Sequence, residues 1–197
     1  MEIRDIRTSD LEAVIEVHKI AFDKFFLTRM GTRFLRAYYQ TALEFDGRIA
    51  LMAAEPGTAR VLGFAIGFLE PQKFYEAFAR RRKQMLPAIV LAVLRDPGLV
   101  PQILRNMRRV EAQAQQPIDA VELSSIAVGS SGDGIGGLLL EAFIKAARAQ
   151  GALRLTLTTD AEGNDAVRRF YETRGFTLDA TEMRGARTLC HYVRAIG

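Results

Sequence analysis

A chain of 197 residues, 49% apolar and 25% charged, is long enough to bury one substantial core, and its composition excludes disordered, collagenous and disulfide-rich classes. Its single cysteine, Cys190, rules out an internal disulfide or a thiolate metal cluster, and it reads as a small apolar residue in a late strand. MEIRDIRTSD has no apolar signal core, and the longest apolar run, Pro87 to Leu94, is too short for a bilayer, so the expectation is one cytoplasmic domain spanning 1–197.

In chain order, Ile3 to Arg7 alternates as a short strand does, and Thr8-Ser9-Asp10 offers N-cap residues ahead of Leu11, Val14, Ile15 and Ile20. Phe25 to Phe45 carries Phe26, Met30, Phe34, Leu35, Tyr38, Tyr39, Ala42 and Leu43 mostly at helical spacing, with Gly31 as a break. This stripe reads as core, with a ring or two available to line an acceptor pocket. Ile49 to Ala54 and Val61 to Leu69 are strand-like runs around EPGTAR, hence a hairpin, and Gly63 and Gly67 share a face of its second strand where a backbone or ligand can approach closely.

Residues 71–116 interrupt this rhythm. Two or three helices are expected, roughly Gln72 to Leu94 with Pro87 interrupting it and Pro97 to Gln113, forming a helical insertion too small for an independent core. Here the charge is uneven: Pro71 to Arg109 holds nine basic residues against two acidic ones in a chain of net charge +4. The excess reads as the solvated face of helices, not as a nucleic-acid or membrane surface, because Phe74, Tyr75 and Phe78 are grouped ahead of the arginines and not interleaved with them.

Val121 to Val128 has the β-branched and aliphatic content of a buried strand, and Ile135, Leu138, Leu139, Ala142, Phe143 and Ala146 mark a helix face. Between them lies GSSGDGIGG. A strand, glycine loop and helix start can cradle an anion, since missing Cβ atoms admit a ligand and the first helical N–H groups point at it. Glycine serves a tight turn equally well. The string lacks the Gly-Lys-Ser/Thr ending of a P-loop. Gly151 then stops the helix, Leu153 to Thr159 alternates as a strand, and NDAVRRFYETRGF reads as a short helix capped by Asn164 or Asp160 and ended by Gly175. Phe176 to Leu178 and Thr188 to Val193 close the chain as strands around a turn at Arg184-Gly185. His18 and His191 have no partner spacing that suggests a metal or a triad.

The glycine loop and NDAVRRFYETRGF together resemble the GNAT superfamily of acyl-CoA-dependent N-acetyltransferases. In that family a strand ending in a small-apolar triplet, here Ile126-Ala127-Val128, precedes an Arg/Gln-x-x-Gly-x-Gly/Ala loop, and further on comes Asn-x-x-Ala-x-x-Phe/Leu-Tyr-Glu-x-x-Gly-Phe. This chain supplies Asn164, Val167, Phe170, Tyr171, Glu172, Gly175 and Phe176, with only the alanine changed. Ser131 stands where the family has arginine or glutamine, Asp133 where lysine or arginine is common, and the connection from Val128 to Gly134 is short.

The resemblance implies an α/β (α+β) fold, a mixed, mostly antiparallel central sheet flanked by helices. It implies acetyl-CoA as co-substrate, no metal, and a small-molecule or peptide amine as acceptor; it leaves a homodimer open. The coenzyme would lie on Ile126, Ala127, Val128, Ser131, Gly132, Asp133, Gly134, Ile135, Gly136, Gly137 and Asn164. Backbone amides at Ile126 to Val128 would pair with the pantetheine arm and polarise the thioester carbonyl, while the helix start takes the pyrophosphate, with Asp133 opposing it unless it points to solvent. Tyr171 matches the family's general acid, and Glu122 matches the catalytic glutamate of some members. The implied reaction is direct acetyl transfer to a primary amine, and the alternative is an acyl-CoA-binding or interaction module without catalysis.

Overall fold

The structure, a computed structural model, describes residues 1–58, 60–104, 120–129, 133–185 and 187–197. Strand β1 (Glu2–Asp5) leads through a 3-10 turn into helix α1 (Leu11–Ala21). Asp10 fixes that entry, accepting the Arg7 amide at 2.8 Å and both terminal Arg4 nitrogens at 2.8 and 2.9 Å. The aromatic stripe divides at Gly31, whose φ of 89° is open to glycine, into α2 (Phe26–Arg29) and α3 (Thr32–Glu44). The hairpin β2 (Arg48–Ala54) and β3 (Val61–Phe68) follows, then the insertion, with α4 (Pro71–Arg80) and α5 (Arg82–Arg95) ahead of a 3-10 turn at Pro97–Leu99.

The insertion breaks at Arg81, not at Pro87, which lies inside α5. Pro87 is near the α5 N-terminus, where the carbonyl it leaves unbonded is open to water; Arg81, meanwhile, is drawn to α3 by Glu44 at 2.6 Å and Thr41 at 3.3 Å. Residues 105–119 of the expected second helix lie outside the described residues.

The second half runs β4 (Ala120–Val128), α6 (Ile135–Ala149), β5 (Arg154–Asp160), α7 (Asp165–Glu172), β6 (Thr177–Arg184) and β7 (Arg187–Ala195). Gly151 and Gly175 take φ of 82° and 79° and stop the two helices as expected. All seven strands form one sheet in the order β1-β2-β3-β4-β5-β7-β6, antiparallel throughout except for the parallel pair β4–β5.

One face of the sheet is covered by α6, through Ile135, Leu139, Leu140, Phe143, Ile144 and Ala147. Leu138, on the helix face read from the sequence, and Leu153, at the start of the alternating run, are exposed. The other face carries α1, α3 and the start of α4 over Tyr39, Phe64, Phe68 and Phe74. A third, smaller cluster joins α5 to α2 and α3 through Met85, Ala88 and Ala92 against Met30 and Phe34. The glycines of β3 decide how close α6 comes: a Cβ on Gly63 would stand 3.0 Å from Leu139 Cδ1, and one on Gly67 would stand 2.5 Å from Phe143 Cζ.

Candidate functional site

The parallel pair is in register for only three residues, Ala120 to Glu122 against Arg154 to Thr156. Beyond that point β4 stays paired to β3 as far as Val128, and β5 to β7 as far as Asp160. The sheet therefore forks, and the facing edges of Leu123–Val128 and Leu157–Asp160 lack each other as hydrogen-bonding partners. A sheet edge inside a cleft accepts an extended, amide-containing ligand as an added strand. Ile126, Ala127 and Val128 lie along that edge.

At the open end of the fork β4 turns into α6. Gly134, at φ of 70°, is the left-handed N-cap, and its carbonyl takes the amides of Gly137 and Leu138 at 3.0 and 3.2 Å. The amides ahead of these, Ile135 and Gly136, belong to the first turn, which has no acceptor within the helix. Asp133 is exposed, while Ser131 and Gly132 lie outside the described residues. One cation beside this helix start was not foreseen. Arg174 is held flat on the Phe170 ring at 3.9 Å, donates to the Phe170 carbonyl at 3.0 Å, and approaches so near that a Cβ on Gly137 would stand 3.0 Å from its Nη2. The pairing of Arg174 with Gly137 spans two helices, so sequence spacing carried no sign of it.

Asn164 precedes α7 but does not cap it with its side chain. Its amide instead donates to Thr159 Oγ1 at 2.6 Å and to the Asp160 carbonyl at 3.2 Å, tying the helix start to the end of β5 at the fork.

Glu122 is in the last registered pair before the strands part, and it faces the α3–α4 layer. Tyr75, from the insertion, donates its hydroxyl to Glu122 Oε1 at 2.7 Å. Burial, and then the Glu122 charge, hold the Tyr75 phenol well above its ordinary pKa, so it stays a donor through the neutral range. Next along β4, Ser124 meets the Tyr38 hydroxyl at 2.9 Å. Ser124 is the extra residue of a β-bulge, since Ile66 opposes Ser125 and Gly67 opposes Leu123. Tyr75 was read only as part of an aromatic group before the arginines; no short-range pattern links it to a residue 47 positions away.

Tyr171 comes from the opposite face. It is 6% exposed, edge to face with Phe170 and Phe176 at 5.2 and 5.5 Å, and near Tyr192, which opposes Leu157 just past the fork. Burial raises its pKa, and its hydroxyl forms no hydrogen bond with any described residue. Of the two histidines, His18 is buried against Tyr39 at 2.6 Å, and His191 meets Glu182 at 3.1 Å and Thr158 of β5 at 3.2 Å.

Residues 111–176 match the family model described as the acetyltransferase (GNAT) family. No curated protein matches by sequence. Among solved structures, the fold is similar to a ribosomal-protein-alanine N-acetyltransferase from Brucella melitensis, at 18% identity and TM-score 0.64 over 99% of each chain. It is also similar to an aminoglycoside 6'-N-acetyltransferase complexed with coenzyme A, at 13% identity and TM-score 0.64 over 100% of this chain and 98% of that one. A third likeness is to an N-acetyltransferase from Thermoplasma acidophilum in complex with coenzyme A, at 14% identity and TM-score 0.57 over 98% of each chain. These likenesses are of fold: a mixed seven-stranded sheet flanked by helices, as in GNAT N-acetyltransferases.

Proposed function

We propose, from a GNAT segment carried on a GNAT fold, that this chain is an acyl-CoA-dependent N-acetyltransferase that moves an acetyl group directly from acetyl-CoA to a primary amine. The forked sheet carries the reading, because it sets a glycine-started helix and Tyr171 on one face and a carboxylate on the other. Coenzyme would enter from the α6–α7 face, its pyrophosphate on the amides of Gly134, Ile135 and Gly136 with Arg174 beside them, its pantetheine along Ile126 to Val128, and Asn164 at the rim. Acceptor would enter from the α3–α4 face, so the two substrates meet in the fork.

The chemistry then divides between the faces. Glu122 takes a proton from the amine directly or through water; the nitrogen attacks the thioester carbon, and β4 amides stabilise the oxyanion. The C–S bond breaks, and Tyr171 gives its proton to the departing thiolate.

Saturating acetyl-CoA, at about a hundred times its Kd, should stabilise the fold by about 2.7 kcal/mol and raise Tm by roughly 5–10 °C. Arg174→Gln should weaken coenzyme binding about tenfold, the usual worth of a charge-assisted contact, and shrink that rise. Absence of any rise at millimolar coenzyme removes the reading; a rise without turnover on any amine leaves a binding module.

Glu122 and Tyr75 give a pH test. A phenol donates more strongly to a carboxylate than to a carboxylic acid, so Tyr75 favours the ionised base. Tyr75→Phe should therefore move the acid limb of kcat/KM to higher pH, while Glu122→Gln should abolish that limb and lower the plateau by about a hundredfold. A profile identical in all three proteins removes Glu122 as base.

A further inference from the structure

The insertion presents an apolar row on its outer side. Between Lys83 and Arg95 helix α5 reads QMLPAIVLAVL, with no charge. Its inner side buries Met85, Ala88 and Ala92. Its outer side exposes Leu86, Val90 and Leu94, at 53, 55 and 75%, spaced by four residues and hence in one row. Val100 and Leu104 add further exposed apolar surface beyond the bend. A helix lying on a globular protein and facing water turns a polar side outward, which α5 does not do.

The rim of this row is cationic. Arg82, Lys83 and Arg95 are exposed and make no ion pair with any described residue. The only acids between Pro71 and Leu104 are already engaged, Glu76 with Arg80 at 3.6 Å and Asp96 with Arg29 at 2.5 Å.

We propose that α5 docks in the plane of an anionic lipid surface, with Leu86, Val90 and Leu94 in the acyl boundary and Arg82, Lys83 and Arg95 on headgroup phosphates. Apolar row and cationic rim together select this occupant. A second copy would set the same unpaired cations against one another, and a nucleic acid would leave the leucine and valine row without a complement. Docking is in-plane: no single described helix is long and apolar enough to cross a bilayer, and the segments Arg82–Arg95 and Pro97–Leu104 meet at 119°. This departs from the solvated-face reading of the basic excess; the exposed row is visible only once the buried side of α5 is known. The inference stands apart from the acetyl-transfer reading, because lipid binding needs neither coenzyme nor turnover.

The test is co-sedimentation of the full chain with vesicles of mixed phosphatidylglycerol and phosphatidylcholine, or of phosphatidylcholine alone. Retention on the anionic vesicles is expected, falling with added salt, and much weaker on the neutral ones. Val90→Asp with Leu94→Asp should cut the partition coefficient at least about tenfold by placing charge in the apolar layer. Arg82→Gln with Lys83→Gln should cut it roughly 25-fold, about fivefold per cation. All four positions are exposed, and unchanged thermal midpoints would verify that the variants fold. No retention of the wild-type chain overturns the proposal, as does retention untouched by either double variant. A concentration-dependent dimer that Leu94→Asp dissociates, without vesicle binding, would assign the face to a second copy.

Discussion

Replacing Tyr171 by phenylalanine should lower kcat by about a hundredfold or more while leaving coenzyme affinity within about twofold. The ring is what the fold uses. It packs against Phe170, Phe176 and Tyr192, contacts phenylalanine reproduces, and the hydroxyl forms no hydrogen bond with a described residue, so its removal leaves no orphaned partner. Stability should accordingly change by less than about 0.5 kcal/mol. Burial raises the Tyr171 pKa, which keeps the hydroxyl protonated through the neutral range, as the proposed acid requires. Steady-state rates with a coenzyme titration on the same preparation decide the matter: an unchanged kcat removes Tyr171 as the acid, and a loss confined to KM makes it a binding residue.

Among the described glycines, Gly67→Ala should be the most damaging single added methyl. A Cβ there would stand 2.1 Å from the Glu122 carbonyl oxygen and 2.5 Å from Phe143 Cζ. Backbone oxygen cannot rotate away as a side chain can, so β4 must shift or α6 must lift. Either costs about 3 kcal/mol, a Tm loss of roughly 6–12 °C for a chain of this length. The displaced segment holds Glu122 and the Ser124 bulge, so activity measured well below Tm should fall too. A variant with wild-type Tm would mean that the fork tolerates a wider spacing than its glycine face suggests.

The elements of this fold were largely legible because their signals are local. Apolar runs around EPGTAR marked the hairpin strands, Gly31, Gly151 and Gly175 marked helix boundaries, and NDAVRRFYETRGF announced its helix and its coenzyme-binding resemblance together. Misplacements occurred where tertiary contacts outweighed propensity. Arg81 breaks the insertion because Glu44 and Thr41 hold its side chain, although Pro87 is the stronger local breaker. Asn164 has the identity of an N-cap, yet Thr159 and Asp160 take its amide because the end of β5 lies beside it.

By itself, then, the sequence carried the order and kind of elements and the glycine-started helix, consequences of side-chain chemistry and short-range spacing, while Tyr171 and Glu122 were singled out by the resemblance to GNAT acetyltransferases. The tertiary structure alone decided that β4 and β5 separate after Glu122, that Tyr75 reaches Glu122 and Arg174 lies beside the α6 start, and which side of α5 faces outward. Each of these depends on contacts between residues far apart in the chain, and no periodicity encodes them; only the packing of helices on both faces of the sheet brings those residues together.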